Sequence, residues 1–360
     1  YILSEIITHK KDSMLTASLR HSLIHTIFTF TLICASSQAL ASLDDDKNHW
    51  YQFSFENDVL GLTNTSDDGY SNGIAYAWGA SSYDSFDSLN IPNWIRFISD
   101  WTFINQGDSQ QYSISYGLSQ SMYTPNDISE PELIENDRPY AGTLLWHSKI
   151  RHFANNRANS LGLTLGVAGP ASLAEQSQTI IHEVIGARTP EGWDNQLNNE
   201  LVFRVKAEHI ERFYDHSFTA TTGFDVSSYS EAGFGNLRSD IGTGLTFRAG
   251  NLLDETYAAI NPFNSQTVSV MTRKPAQQFS WQLFASVYTA YVFNDITLDG
   301  NTFSDSHSVE MIHDQALISA GMFVMYQHWA ATFSSHRATK QFDDQINDSK
   351  YGSITVSYYY

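Results

Sequence analysis

The sequence predicts an all-β protein, a transmembrane antiparallel β-barrel of about 12 strands with a short helix in an extracellular loop. Three observations lead there. The chain closes on residues 351–360, where Ile354, Val356, Tyr358 and Tyr360 alternate with Ser353, Thr355, Ser357 and Tyr359. A period of two marks a strand with one apolar face. Left as an edge in water such a strand would aggregate, whereas closure into a barrel removes the edge and gives the apolar face to lipid. Second, aromatics make up 14% of the chain and charged residues only 16%, yet mean hydropathy is −0.29. Alternating strands average out hydropathy in this way, and no window has the ~20 apolar residues of a membrane helix. Third, the start of the chain carries the marks of secretion. Met14 and Arg20 precede an apolar run from Leu23 to Ala35, and Ala39-Leu40-Ala41 follows. These are the three regions of a signal peptide.

The reading along the chain is then direct. Residues 1–13 are an upstream extension, 14–41 the signal peptide and 42–360 a single barrel domain. Cys34, the one cysteine, leaves with the signal, so no disulfide framework is available. Strands are predicted near 50–58, 70–79, 111–121, 141–151, 159–168, 200–212, 216–227, 236–249, 278–293, 314–327, 329–338 and 351–360. Long outer segments are expected at 59–69, 122–139, 170–199, 250–276 and 294–313, and a tight turn at Gln327-His328. Pro170 to Gly186 reads as a helix: Pro170 suits the first turn, Ile181, Val184 and Ile185 repeat at helical spacing, and Gly186 suits the C-cap. An even strand count puts both termini in the periplasm.

That orientation gathers the chemistry at the outer rim. Glu56-Asn57-Asp58 closes the first strand, Tyr70-Ser71-Asn72-Gly73 opens the second, Asn136 to Gly142 enters the fourth, and His182 lies on the helix. Tyr51, Phe53 and Phe55 face lipid, which turns Gln52, Ser54, Glu56 and Asp58 to the lumen. Ser71 comes out on the lumen side as well. Asn57 comes out on the opposite side, so the strand must end or bulge there for Asn57 to join the others. Asp137-Arg138-Pro139 reads as a structural turn with an internal ion pair, and Trp193 as a residue of the membrane interface. The net charge of −19 excludes nucleic acid as a partner, because such binding draws on Lys and Arg.

FENDVL (55–60), GYSNG (69–73), MYTPND (122–127), NDRPYAG (136–142) and HEVIGARTPEGWDNQLNNE (182–200) together resemble the outer-membrane lipid A 3'-O-deacylase family. The resemblance implies a twelve-stranded barrel in the Gram-negative outer membrane, and a monomer is expected. It implies Ca²⁺-dependent hydrolysis of the 3'-linked acyloxyacyl ester of lipid A. The family's essential residues carry over to Asn57, Asp58, Ser71 and His182. Asp58 and Asn57 are then the metal-side residues. Two positions depart from the family: its lysine falls on Glu135, and its glutamate six residues after the histidine falls on Arg188.

The residue chemistry is compatible with that reading. Ester hydrolysis needs a base near neutral pKa, and histidine is the usual one. It also needs charge or donors at the developing oxyanion, which a cation on hard oxygen ligands supplies. His182 needs an orienting acceptor; Glu183, Glu191 and Asp194 are near in sequence, although Glu183 diverges from its neighbour on a helix. A phospholipid esterase and a non-catalytic barrel are the alternative readings.

Overall fold

The computed structural model describes residues 48–60, 69–89, 91–100, 102, 104, 111–154, 156–186, 188–256 and 279–360. The upstream extension and signal peptide predicted over 1–41 lie outside the described residues. Twelve strands close into one antiparallel barrel, each paired with its sequence neighbours and β1 paired with β12. They are β1 (Asn48–Asn57), β2 (Gly69–Tyr83), β3 (Gln111–Thr124), β4 (Ala141–Ala154), β5 (Arg157–Ala168), β6 (Glu200–Ser217), β7 (Thr222–Phe234), β8 (Arg238–Asn251), β9 (Ser280–Asp295), β10 (Asp314–Tyr326), β11 (Trp329–Ala338) and β12 (Ser349–Tyr359). The short helices are α1 (Asn93–Ser99), α2 (Ala174–Ile185), α3 (Leu253–Thr256) and α4 (Ile296–Asp299).

Every predicted strand is present. The largest offset is β7, expected from residue 216. β6 bulges between Arg212 and Tyr214 and so runs on to Ser217. The chain reverses only at Thr219–Thr222, where the Thr219 hydroxyl accepts from the Thr222 amide at 3.0 Å. Gln327, in the left-handed region at φ 52°, makes the two-residue turn between β10 and β11 as expected.

Alternation sorts the wall. On β12 Ile354 and Val356 are exposed, while Ser353, Thr355, Ser357 and Tyr359 are buried. Tyr51, Phe53 and Phe55 likewise point out against Gln52, Ser54 and Glu56. Among the described residues no helix is long and apolar enough to cross a membrane; the crossing is made by strands.

The lumen is filled in three layers. Near the chain ends, Trp50, Phe284, Phe323, Met325 and Tyr359 form an apolar cluster. At the other, distal end, Val292, Leu298, Met311 and Phe342 form a second. Between them lies an ion network. Glu208 takes Lys206 at 2.7 Å and Lys149 at 2.9 Å, and Asp240 takes Arg204 at 2.5 Å and Arg238 at 2.7 Å. A cavity of about 300 Å³ remains, lined by Glu56, Lys149, Arg204, Glu231 and Tyr288 among others.

Loop lengths depart from the simple rule of short inner and long outer connections. The segment expected as an outer loop at 250–276 follows β8, so it leaves from the end that holds the chain termini; its residues 257–276 lie outside the described residues. The β2–β3 connection at the same end is also long and carries α1. Its apolar residues are interleaved with Asp, Ser and Asn, which conceals a helix of only seven residues from periodicity.

Candidate functional site

Strand register builds one rung of residues across the distal end of the wall. Asn57 pairs with Gly352 on β12 and with Asn72 on β2. Asn72 pairs with Met122 on β3, and Met122 with Gly142 on β4. By alternation all five belong to the outward face, in line with Phe53, Trp78, Leu118 and Leu144. The Asn57 amide donates to the Asn72 carbonyl oxygen. Asn72 is nevertheless buried.

Protein packed on the outside of the barrel accounts for that burial pattern. A 3-10 turn over Asp58–Leu60 folds back over β12, where a Cβ on Gly352 would strike the Leu60 backbone. Another 3-10 turn, Pro170–Ser172, leads into α2 and sits on β4, where a Cβ on Gly142 would overlap Ser172 Oγ and Ala174 Cβ. Gln120, outward on β3, donates to the Ser172 carbonyl at 2.6 Å. Two outward glycines thus let two loops approach the wall on either side of the asparagine pair. Gly142→Val is expected to lift α2 from the wall while leaving the barrel closed. Faster protease cleavage between residues 170 and 199, with an unchanged heat-shift of the folded barrel on gels, is the expected result.

This geometry corrects the placement drawn from alternation alone. Alternation expects the lumen-facing residues to carry the site, with Asn57 out of line. Asn57 is the residue that shares a face with the helix, and Glu56 instead lines the interior cavity. β1 keeps an unbroken register and simply ends at Asn57. The bulge is in β2, between Tyr70 and Asn72, and Ser71 is its extra residue. The side chain of Ser71 lies outside the described residues. Asp58, buried, has left the strand alternation and opens the 3-10 turn.

α2 ends as its sequence requires. Gly186 is in the left-handed region at φ 73° and its N–H bonds the His182 carbonyl. His182 is buried, and its Nδ1 lies 2.5 Å from the Arg188 carbonyl oxygen. A carbonyl can only accept, so Nδ1 donates, and in the neutral ring Nε2 is the nitrogen with the lone pair. Glu183, Glu191 and Asp194 are all exposed. The sixth residue after the histidine therefore holds the ring through its main-chain carbonyl rather than its side chain.

α2 is braced by the loop that follows it. Trp193 Nε1 donates to Gln178 Oε1 at 2.8 Å, and its ring lies 4.9 Å from that of Tyr140. Trp193 is buried with Met122, Tyr140 and Ala174, a correction to its expected place at the membrane interface. The Asp137-Arg138-Pro139 turn is structural, but not through the expected ion pair. Asp137 accepts from the Asn126 and Arg138 amides at 2.8 and 2.7 Å. The Arg138 guanidinium turns inward over the Tyr123 ring, 4.7 Å from its centre, and donates to Thr297 at 3.1 Å. Burial pulls the Arg138 pKa down, opposed by Tyr123, Asp295 and Asp137. Glu135 is exposed on the same loop.

The structure thus joins Asn57, Asp58 and Ser71 at the β1–β2 rim and places His182 on a helix packed against β3 and β4 of the same wall. The His182 hydrogen bond goes to Arg188, not to the other three. Sequence reasoning misses Asn72, although its pairing with Asn57 follows from a hairpin register that only the bulge makes hard to count. Among the described residues there is no group of three or more His, Cys, Asp or Glu placed to hold a metal ion.

The family model for the outer membrane protein LpxR matches residues 23–360. The solved structure of LpxR from Salmonella typhimurium superimposes with a TM-score of 0.71 at 18% identity, covering 86% of this chain and 100% of that one. The β domain of the Bordetella autotransporter Brka covers 87% of this chain and 99% of its own, with a TM-score of 0.41 and 10% identity. The translocator domain of autotransporter NalP from Neisseria meningitidis covers 93% of this chain and 95% of its own, with a TM-score of 0.36 and 10% identity. No curated protein matches the chain. A closed twelve-strand barrel matched almost end to end by that family model places this chain in the outer membrane, as a member of the LpxR family.

Proposed function

We propose that this protein is an outer-membrane esterase that hydrolyses the 3'-linked acyloxyacyl chain of lipid A, with His182 as the base that activates water. The observation that carries the proposal is the hydrogen bond from the Nδ1 of a buried histidine to a main-chain carbonyl, on the outside of the barrel wall. A site on the outer wall is open to a lipid from the side, which a lumen site would not be. The distal end, opposite the termini, faces outward in this reading, so the site meets the outer leaflet. His182 lies eight residues beyond Ala174, a rise of about 12 Å. Asn57 lies three strand spacings from Gly142, about 14 Å. Those spans suit a glycolipid headgroup better than a single small ester. The filled lumen weighs against a pore.

In the reaction, His182 Nε2 takes a proton from water and the resulting hydroxide adds to the ester carbonyl carbon. Collapse of the tetrahedral intermediate expels the sugar oxygen, which receives the proton back from His182. The bond to the Arg188 carbonyl keeps the ring oriented and stabilises the imidazolium. The Asn57 and Asn72 amides stand beside the reacting region as fixed dipoles. Asp58, with the side-chain oxygen of Asn57 and neighbouring carbonyls, would hold a hard cation on oxygen donors that include one carboxylate. Calcium, when bound there, supplies positive charge for the oxyanion. Ser71, at the bulge, positions that region of β2.

The test is the mass spectrum of lipid A from an outer membrane carrying this protein. Loss of the 3' chain is expected with calcium present, abolished by a calcium chelator and restored by added calcium. Unchanged masses in a host where a known deacylase works would sink the proposal. Activity that persists in chelator would remove the cation from it while leaving the histidine.

A further inference from the structure

We infer that α1 (Asn93–Ser99) is a lipid-immersed helix, lying on the outside of the barrel wall among the acyl chains of the leaflet at the terminal end. The wall beneath it is outward-facing by alternation: Tyr112, Ile114 and Ile150 belong to the same faces as the exposed Leu118 and Leu144. Yet Tyr112 and Ile114 are only 2% and 3% exposed. They are covered by Phe86, Leu89, Ile91 and Ile95 of the β2–β3 connection, in one cluster. On β9 the outward residues from Trp281 to Phe293 are all exposed. The barrel therefore shows lipid a full-length strand face at β9. At β3, between α1 and α2, little more than Leu118 is presented.

α1 is apolar on two faces. Ile95 goes to the wall, whereas Trp94 and Phe97 point away from it and are 46% and 65% exposed. A short helix with an exposed apolar face and a polar rim suits the boundary where acyl chains meet headgroups. Its one cation lies on a third, polar side: Arg96 donates to the Leu89 carbonyl at 2.8 Å and pairs with the exposed Asp87 at 3.3 Å, so that side marks where the helix meets headgroups and water. The exposed face is continuous with the lipid-facing wall. Trp94 lies 6.3 Å from Trp146, Trp146 lies 6.1 Å from Tyr116, and Tyr116 lies 6.1 Å from Trp78. These rings run from the helix onto three strands with no polar break. Acyl chains that wet the strands at Trp78 and Tyr116 reach Trp94 along the same surface, and aromatic rings suit the zone where chains meet headgroups.

The experiment uses the full chain in phospholipid vesicles, with Cys34→Ser so that a single cysteine can be labelled. A nitroxide is placed at Phe97→Cys, and its collision rates with molecular oxygen and with a water-soluble nickel chelate are measured. Leu283→Cys on β9 is the lipid reference and Ala220→Cys, in the exposed β6–β7 turn, the aqueous one. Phe97 is exposed, and the heat-shift on gels verifies the closed barrel of the variant. The expected result is high oxygen and low nickel access at Phe97, matching Leu283. Nickel access at Phe97 equal to that at Ala220 overturns the inference, because the helix would then stand in water. Low access to both reagents also overturns it, since that is the signature of a helix covered by protein.

Discussion

His182→Ala is expected to reduce release of the lipid A acyl chain by about 10²- to 10⁴-fold, the range that a general base contributes. The ring is the only group on α2 whose tautomer is set by a main-chain acceptor. Removing it takes away the proton acceptor without touching the barrel, because α2 packs on the outside of β3 and β4 rather than in the strand ladder. The variant should keep the heat-shift of the wild type on gels, and its lipid A mass spectrum should show the uncleaved species. Arg188→Ala separates the two ways in which residue 188 could act. The carbonyl that orients His182 survives that change, so most of the activity should survive as well. A loss as large as that of His182→Ala would mean that the guanidinium, not the main chain, is what the site needs.

The largest effect on stability is expected from Glu208→Ala. Glu208 is buried in the lumen and holds Lys149 at 2.9 Å, Lys206 at 2.7 Å and Arg151 at 3.6 Å, and it accepts from the Tyr229 hydroxyl at 3.1 Å. Removing the carboxylate leaves buried cations short of their shared counter-charge. Breaking a buried pair in this way costs about 3–5 kcal/mol, far more than loss of an exposed pair such as Arg337–Asp348. Lys206 retains Glu231 at 3.1 Å, which places the expected loss at the lower end of that range. The denaturant midpoint of the refolded barrel should fall accordingly. Glu208→Gln keeps the acceptor and the volume, so its loss should be smaller. A midpoint equal to wild type for Glu208→Ala would show that water in the adjoining cavity screens the cations.

Much of the architecture is written in local pattern. Period-two alternation in segments such as Tyr351 to Tyr360 is a property of neighbouring residues, so it survives without any knowledge of the partner strand. The helix at Pro170 to Gly186 is likewise marked by its own ends, and only the interposed left-handed Leu173 splits it into a 3-10 turn and α2. Strand ends are less legible where a bulge changes the count, as at Arg212–Tyr214 in β6 and at Ser71 in β2. One extra residue flips the parity of everything counted across it, and nothing in the sequence of β2 announces which residue is extra.

The site shows the division most clearly. The residue types are legible: an aspartate and an asparagine at a strand end, a serine at a strand start, and a histidine on a short helix, each in a stretch that resembles one family. Their common face is not. Alternation correctly sends Asn57 outward, but it sends the residues expected to share the site inward, because a sequence does not show that a loop can fold back over the outside of its own barrel. That depends on Gly142 and Gly352 meeting Ser172 and Leu60, which are contacts between distant parts of the chain. The orienting partner of His182 is equally hidden, since it is a carbonyl oxygen that every residue possesses. The sequence by itself determined the barrel, its strand number and which residues face lipid, because each follows from spacing along one strand. Only the tertiary structure decided that the candidate site stands on the outer wall, that α2 covers it and that α1 covers the same strands at the other end. Those outcomes depend on close approach between segments, and the alternation of a single strand carries no information about what lies against it.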